Sequence, residues 1–385
     1  MCSRDDFSRK LFSFFVILRS AMRIGIDCRM YGKTFTGIGR YTYELTEHLF
    51  RIDDKNEYVL FFNEPEFSRF STGKYHRVRK VLVNARHYSW AEQWKFLKIL
   101  HDARLDLMHF THFNAPILYR KPCVVTIHDL TLSFFPGKKM NSFMHRFGYQ
   151  IAMRSILKRA KKIIAVSEYT KSDLEYLFGV HSDRVSVIYE SVSNHFKKID
   201  LPPDHPEGYL LYTGVWRDHK NLSGLLKALA LLRLNHGFAG KLYITGKEDP
   251  YYPEVRRTVA DLDLDEYVVF TGLVGEDELV RLYNGASVLV IPSLYEGFGL
   301  QVLEAFACEV PLACSGVSSL PEIAGKGNAA FFNPKDPKDM AEKIWFAYSD
   351  KTLRQHLIEN GQKRIREFSW KKMAAETLKV YNGCL

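Results

Sequence analysis

Two glutamates, Glu296 and Glu304, are the side chains whose type and spacing point most clearly to chemistry. Seven residues separate them, and they follow an apolar run at 287–291 that predicts a buried strand. A Pro-Ser pair ends that run, and Gly297 and Gly299 then open a predicted helix. We therefore expect one carboxylate at the carboxyl end of a strand and the other on the helix behind it. Ligands of open α/β sheets bind at that edge, and the free N–H groups of a helix start suit a phosphate.

A second glycine-containing loop, with Gly37 and Gly39, follows the first predicted strand at 23–27 and opens a helix. Its spacing fails the dinucleotide-binding pattern Gly-x-Gly-x-x-Gly, because Thr42 stands where the third glycine is required. A short glycine loop at a helix start still suits a ligand that carries phosphate.

Basic side chains follow two further predicted strands. His128 comes directly after the strand at 123–127, at the sheet edge where we expect a ligand. Lys220 lies in a basic segment that follows the strand at 209–213 and precedes a helix start. Cations placed there can bind the phosphate groups of a ligand.

Strand-like and helix-like runs alternate on both sides of a proline-rich linker at 201–208. Such alternation predicts parallel sheets covered by helices, and 385 residues are enough for two domains. We therefore expect an α/β protein with two doubly wound, Rossmann-like domains that face each other across a cleft.

The segment Ser-x-Tyr-Glu-Gly-Phe-Gly-Leu at 293–300, followed by Glu-Ala, resembles the signature of the retaining glycosyltransferases of family four, which have the GT-B fold. The other motifs agree with this resemblance in their order along the chain. It implies an acceptor-side domain at 22–200 and a nucleotide-sugar-binding domain at 201–368. It also implies a helix at 369–385 that crosses back to the first domain. Residues 1–21 would be an extension outside the fold.

The resemblance assigns a role to each motif. Glu296 would hold hydroxyls of the transferred sugar and stabilise positive charge near its anomeric carbon. Glu304 would hold the ribose hydroxyls, His128 would lie beside the donor sugar, and Lys220 would meet the diphosphate. The other donor-binding residues that it implies are Gly37, Gly39, His219, Gly272, Val274, Gly297, Phe298, Gly299 and Leu300.

One part of the family pattern is altered. Many relatives place an arginine directly after the glycine of the basic segment or just before its lysine, and here those positions hold Val215 and His219. Arg217 is then the first candidate for the second cation at the diphosphate, and His219 is the other.

No metal or cofactor is expected. The Asp-x-Asp pattern at Asp261 and Asp263 lies at a predicted helix end, far from every other motif, and we interpret it as a solvated acidic turn. The six cysteines form no Cys-x-x-Cys pair, which favours reduced thiols in a cytoplasmic protein.

Charge is distributed unevenly along the chain. Residues 1–200 carry 33 lysines and arginines against 20 acidic residues, whereas residues 201–385 carry 21 against 24. The segment 130–167 contains no acidic residue and interleaves basic with apolar side chains. It predicts either a helix for the anionic inner surface of a membrane or a solvated helix packed on its own sheet. No nucleic-acid recognition module is visible.

The predicted function is therefore transfer of a hexose, with retention of configuration, from a nucleotide-sugar to a hydroxyl of a glycan or lipid-linked acceptor. GDP-mannose is the leading donor, and UDP-glucose and UDP-N-acetylglucosamine are alternatives. Retention through a covalent intermediate and retention by same-face attack both stay open. A GT-B nucleotide-sugar epimerase and a non-catalytic nucleotide-sugar-binding protein are the competing functions.

Overall fold

The structure, a computed structural model, describes residues 21–32, 36–138, 143–202 and 208–384. Residues 1–20 of the expected extension lie outside the described residues. So do residues 139–142 of the basic segment and residues 203–207 of the linker.

The first domain contains a seven-stranded parallel sheet with the order β3-β2-β1-β4-β5-β6-β7. Its strands are β1 (Arg23–Asp27), β2 (Glu57–Phe62), β3 (Val78–Leu82), β4 (Leu107–Phe110), β5 (Cys123–Ile127), β6 (Lys162–Ala165) and β7 (Val185–Val187). Both faces of this sheet are covered. Val59 and Phe61 enter one core while Leu60 and Phe62 enter the other, as the period of two in a strand requires.

The second domain contains a six-stranded parallel sheet with the order β10-β9-β8-β11-β12-β13. Its strands are β8 (Tyr209–Thr213), β9 (Leu242–Thr245), β10 (Val268–Gly272), β11 (Ala286–Ile291), β12 (Leu312–Ser315) and β13 (Ala330–Phe332). Here too the strand residues alternate between two cores, with Val288 and Val290 on one face and Leu289 and Ile291 on the other.

Helices connect the strands and cover the sheets. In the first domain these are α1 (Thr36–Ile52), α2 (Glu66–Arg69), a π-helical turn (Glu92–Phe96) that runs into α3 (Leu97–Asp102), α4 (Thr131–Phe134), α5 (Phe143–Arg159) and α6 (Glu168–Phe178). In the second domain they are α7 (Leu222–His236), α8 (Glu254–Asp261), α9 (Glu276–Gly285), α10 (Leu300–Ala307), α11 (Leu320–Ala324), α12 (Pro337–Ser349) and α13 (Lys351–Arg364). None of the described helices is long and apolar enough to cross a membrane.

The last helix, α14 (Trp370–Asn382), returns to the first domain. Its Trp370, Met373 and Tyr381 are buried in the same core as Tyr41 and Leu45 of α1. The side chain of Ser369 caps α14 by accepting a hydrogen bond from the N–H of Lys372. The polypeptide therefore returns from the second domain to the first before this helix.

The predicted fold class is confirmed, because both domains have parallel sheets that reverse strand order at a switch point. Two strands that the pattern did not predict, β7 and β13, have three residues each and lie at sheet edges. Edge strands of that length are too short for a hydrophobic period to be visible in the sequence.

Candidate active site

A cleft of about 470 Å³ lies between the two domains. Many of its lining residues lie just after strands of both sheets, so the cleft lies at the carboxyl edges of the sheets and near both switch points. Ten of the residues predicted from the sequence line it. These are Gly37, His128, Lys220, Val274, Glu296, Gly297, Phe298, Gly299, Leu300 and Glu304.

Glu296 lies in the loop between β11 and α10, and its carboxylate pairs with Lys220. Oε1 accepts hydrogen bonds from Lys220 Nζ at 2.6 Å and from Ser293 Oγ at 2.7 Å. Both charged side chains are nearly nine-tenths buried. Burial by itself raises the pKa of Glu296, but the Lys220 charge and these hydrogen bonds outweigh it and hold the pKa below its ordinary value. The cleft therefore contains an ionised carboxylate beside an ammonium group.

Glu304 lies on α10, and its side chain also lines the cleft. Arg40 of α1 donates to its Oε1 at 3.0 Å, and Tyr283 of α9 donates to its Oε2 at 2.7 Å. Burial raises the pKa of Glu304 above its ordinary value, although Arg40 and Tyr283 act in the opposite direction. This carboxylate is thus held by one residue from each domain.

His128 follows β5 and faces the cleft from the first domain. Its Nδ1 lies 2.9 Å from Glu190 Oε1, and its Nε2 lies 2.9 Å from the carbonyl oxygen of Thr111. The ring also meets Tyr41 edge-on, with 4.7 Å between centroids. Because a carbonyl oxygen only accepts, Nε2 carries a proton and donates. The orientation of the ring is therefore fixed by the first domain before any ligand arrives.

Gly297 brings the backbones of the two domains into contact. A Cβ atom at this position would lie 1.8 Å from the carbonyl oxygen of His128. The carbonyl of Gly297 accepts from Ser167 Oγ at 2.6 Å and from Thr170 Oγ1 at 3.1 Å. Gly299 is needed for a different reason, because its φ of 93° is in the left-handed region at the start of α10. Gly297 thus allows the loop between β11 and α10 to approach the first domain closely, and Gly299 allows the same loop to turn into α10.

Arg217 and His219 do not reach this cleft. Arg217 pairs with Asp249 and lies over the ring of Tyr252, and both basic residues line a separate cavity of about 250 Å³. Burial and the neighbouring charge of Lys220 lower the pKa of His219 to about 4. His219 is consequently uncharged at neutral pH, and Arg217 has an acidic partner of its own.

Gly39 and Gly272 lie beside the cleft without lining it. Gly39 is buried in the first turn of α1, where its carbonyl accepts from the N–H of Gly32 at 3.4 Å. Gly272 accepts from the N–H of Gly246 at 2.9 Å and directly precedes Leu273 and Val274, which do line the cleft.

Two charged residues of the cleft were not predicted as site residues from the sequence. Arg40 lies in the first turns of α1, directly after Gly39, and Glu190 follows β7. Arg40 carried a usable signal, since it directly follows a glycine that was predicted to lie at the ligand. Glu190 carried none, because its strand was too short to be recognised.

The arrangement suits a ligand that carries both phosphate and hydroxyl groups. In the part of the chain that the structure describes, the lysines and arginines that line the cleft are Arg40, Lys220 and Lys247. The N-terminus of α10 opens on the same space and offers free N–H groups to an anion. Two buried carboxylates are available to hydroxyl donors. Among the described residues, no three metal-ligating side chains come together.

Two family models match the chain in succession. The model described as "Glycosyltransferase Family 4" matches residues 35–194, and the one described as "Glycosyl transferases group 1" matches residues 193–364. Together they span both domains and the cleft. The chain belongs to glycosyltransferase family 4, and glycosyl transfer is its class of activity.

Curated relatives agree with this family, and solved structures agree with the fold. O-antigen chain mannosyltransferase B of Escherichia coli is 27% identical, over 90% of this chain and 96% of the relative. O-antigen chain mannosyltransferase RfbU of Salmonella typhimurium is 28% identical, over 71% of this chain and 72% of the relative. The sucrose-phosphate synthase of Thermosynechococcus elongatus superposes with a TM-score of 0.76 at 21% identity, over 94% of this chain and 98% of that one. Anabaena HepE, solved with UDP and glucose, gives a TM-score of 0.72 at 16% identity, over 94% and 100%.

Proposed function

We propose that this protein is a retaining mannosyltransferase that moves mannose from GDP-mannose to a hydroxyl of a lipid-linked glycan. The observation that carries the proposal is the interdomain cleft in which Glu296, Lys220 and Glu304 face His128. The relatives support mannose, because those from Escherichia coli and Salmonella typhimurium are named O-antigen chain mannosyltransferases. The solved complexes of HepE with UDP and UDP-glucose support a nucleotide-sugar as the donor class.

The donor would lie along the carboxyl edge of the second sheet. Glu304 would accept hydrogen bonds from the ribose hydroxyls, and the backbone around Leu273 and Val274 would meet the base. Lys220 and the N–H groups that open α10 would hold the diphosphate. As the bond between sugar and phosphate breaks, the positive charge of Lys220 stabilises the negative charge that develops on the leaving group.

Glu296 would act on the sugar rather than on the diphosphate. Its carboxylate is ionised and oriented by Lys220 and Ser293, so it can hold sugar hydroxyls and stabilise positive charge near the anomeric carbon. Retention then follows from attack on the face that the diphosphate leaves, or from a covalent intermediate that is resolved by the acceptor. Trapping with a 2-fluoro donor distinguishes the two routes, since only the second produces a stable glycosylated protein.

We propose that transfer needs no metal ion. The Lys220 ammonium and the helix N–H groups can balance the diphosphate charge without one. Transfer measured before and after treatment with EDTA tests this statement, and we expect the rate to be unchanged. A rate that falls with EDTA and returns with Mg²⁺ or Mn²⁺ would contradict it.

The first domain supports a proposal for the acceptor and its location. Helix α5 exposes Met144, Phe147 and Ile151, which lie at helical spacing, and the first half of the chain is strongly basic. We propose that this face contacts the anionic inner leaflet of a membrane and meets a lipid-linked glycan there. Co-sedimentation with phosphatidylglycerol vesicles and with phosphatidylcholine vesicles tests the contact, and binding to the anionic vesicles alone is expected.

One assay separates the proposal from its alternatives. The protein is incubated with GDP-mannose, UDP-glucose or UDP-N-acetylglucosamine and a lipid-linked glycan, and both products are measured. Release of GDP with a glycan longer by one mannose supports the proposal. Free epimerised sugar supports a nucleotide-sugar epimerase, and tight nucleotide binding without turnover supports a binding protein.

A further inference from the structure

Arg40 connects the first domain to the nucleotide side of the cleft. It lies in the first turns of α1, yet its guanidinium group reaches two carboxylates of the second domain. NH1 donates to Glu304 Oε1 at 3.0 Å, and NH2 donates to Glu276 Oε1 at 3.1 Å. The guanidinium carbon also lies 5.4 Å from the ring centre of Phe196. The side chain is 19% exposed, so these contacts fix it in a largely buried position.

Arg40 also separates two spaces. It lines the cleft of about 470 Å³ and also a second cavity of about 620 Å³, which extends along α1 past Glu47 and Arg51. The Arg40 side chain is thus exposed to the cleft on one side and donates a hydrogen bond to Glu304 on another. Of its two carboxylate partners, Glu304 is the one that lines the cleft.

Glu304 needs such support because of its surroundings. Besides Arg40, the groups that face its carboxylate are Tyr283 and Glu276 of α9 and the thiol of Cys308 after α10. Arg40 is the one cation in this set. Burial raises the pKa of Glu304 and the negative charge of Glu276 raises it further, whereas Arg40 lowers it. Without Arg40, this carboxyl group would take up a proton more readily.

Support by Arg40 leaves room for a ligand. Each carboxylate oxygen has two acceptor sites, and one on each is used, by Arg40 and by Tyr283. The remaining sites on Oε1 and Oε2 can accept two neighbouring hydroxyl groups at once. A protonated carboxyl group loses part of this acceptor capacity.

We propose that Arg40 is a positioning residue for the nucleotide, which holds Glu304 in place so that both of its oxygens accept the ribose hydroxyls. This inference rests on the proposed function, since it takes a nucleoside diphosphate as the ligand of the cleft. It adds that a residue of the first domain determines how well the second domain binds its nucleotide.

The experiment compares three variants with the wild-type protein. Arg40→Gln removes the charge, and Arg40→Lys keeps it. The matched control is Arg51→Gln on the same helix, because Arg51 is 65% exposed and pairs with Glu47. Isothermal titration calorimetry with GDP, UDP and their 2′-deoxy analogues gives Kd between pH 6 and pH 8, and thermal unfolding verifies that each variant is folded.

We expect Arg40→Gln to weaken binding of the preferred nucleotide by roughly tenfold at pH 7, the size of effect that loss of a charge-assisted hydrogen bond produces. The weakening should grow toward pH 6, because the unsupported carboxyl group is then protonated to a greater extent. The loss of affinity that removal of the 2′-hydroxyl causes should be smaller in Arg40→Gln than in the wild type. Arg40→Lys should recover part of the affinity, and Arg51→Gln should match the wild type.

Two outcomes would contradict the role of Arg40 alone, and a third would contradict the proposed function as well. If the wild type binds nucleotide and Arg40→Gln binds it equally well at every pH, Arg40 has no such role and the proposed function is untouched. The same holds if Arg40→Gln weakens ribonucleotides and 2′-deoxynucleotides to an equal extent. If the wild type binds neither GDP nor UDP and transfers no sugar, both proposals are wrong.

Discussion

Lys220 and Glu296 form an ion pair in this cleft, and we expect its loss to affect both stability and activity. Each balances the charge of the other in a site that little solvent reaches. Removing one partner of a largely buried pair leaves an uncompensated charge, and this is more destabilising than replacing both partners. Stability and activity can therefore be separated at this pair.

We expect Lys220→Met to reduce transfer by at least about 100-fold, because the diphosphate loses its cation. It should also lower the free energy of unfolding, by an amount that approaches the roughly 3–5 kcal/mol typical of a broken buried pair. The double variant Lys220→Met/Glu296→Gln should regain stability but not activity. Urea unfolding and the rate of GDP release measure the two effects. A double variant as unstable as the single one would contradict this account.

Arg217 provides the contrasting case. Because its guanidinium group pairs with Asp249 and lines a separate cavity, we expect Arg217→Ala to retain kcat/KM for the donor within about tenfold of the wild type. Lys220→Met, measured in parallel, is the reference for a cation at the diphosphate. A loss from Arg217→Ala as large as that from Lys220→Met would show that Arg217 reaches the donor after all.

At the scale of elements, the loop that joins β11 to α10 controls how closely the domains approach. Gly297→Ala would place a methyl carbon 1.8 Å from the carbonyl oxygen of His128, which is far shorter than any non-bonded contact. We expect a loss of transfer of at least about 100-fold, since displacements near 1 Å at a catalytic site have effects of that size. Gly73→Ala, where the nearest atom to the added Cβ is Ser71 Oγ at an ordinary 3.6 Å, is the matched control and should keep full activity. Full activity in Gly297→Ala, measured as GDP release, would argue against a contact-dependent site.

The packing of α14 on the first domain involves a buried histidine. Nδ1 of His109 lies 2.6 Å from Tyr381 Oη of α14, and Nε2 lies 2.8 Å from Thr126 Oγ1. Burial, together with the nearby His128, lowers the pKa of His109 to about 3. The unfolded chain takes up this proton near pH 6.5 and the folded chain does not, so stability is lost as the pH falls below 6.5.

We expect His109 to account for a loss of about 2 kcal/mol in the free energy of unfolding between pH 7 and pH 5. In His109→Gln this part of the pH dependence should disappear, whereas a variant at the exposed His76 should keep it. Urea unfolding at the two pH values measures the difference. Equal pH dependence in the wild type and His109→Gln would show that His109 is protonated in the folded protein.

Sequence periodicity was sufficient for most elements and for much of the cleft. Long runs such as those of β1, β5 and β11 are buried on both faces, so their hydrophobic residues are continuous and visible. Glu296 and Glu304 were visible because glycines mark the loop that carries them. The position of Arg217 could not be predicted, because its partner Asp249 lies 32 residues away and only the folded loops bring the two together.

At the scale of the whole molecule, contacts between the domains hold the cleft in its described form. The carboxylate of Glu322 in α11 accepts from the N–H groups of Glu168 and Tyr169, at the start of α6, at 2.7 and 3.0 Å. Tyr295 donates to Asp173 Oδ2 at 2.7 Å across the same interface. Side chains of one domain thus cap and support elements of the other, which keeps His128 and Glu296 on a shared space.

The most direct test of the central claim is mass spectrometry of the glycan formed by wild-type protein and by Glu296→Ala from GDP-mannose and a lipid-linked acceptor. We expect the wild type to add one mannose and release GDP. We expect Glu296→Ala to fold and to bind GDP but to add no mannose. Transfer by Glu296→Ala at the wild-type rate would contradict the claim that this cleft is the catalytic site.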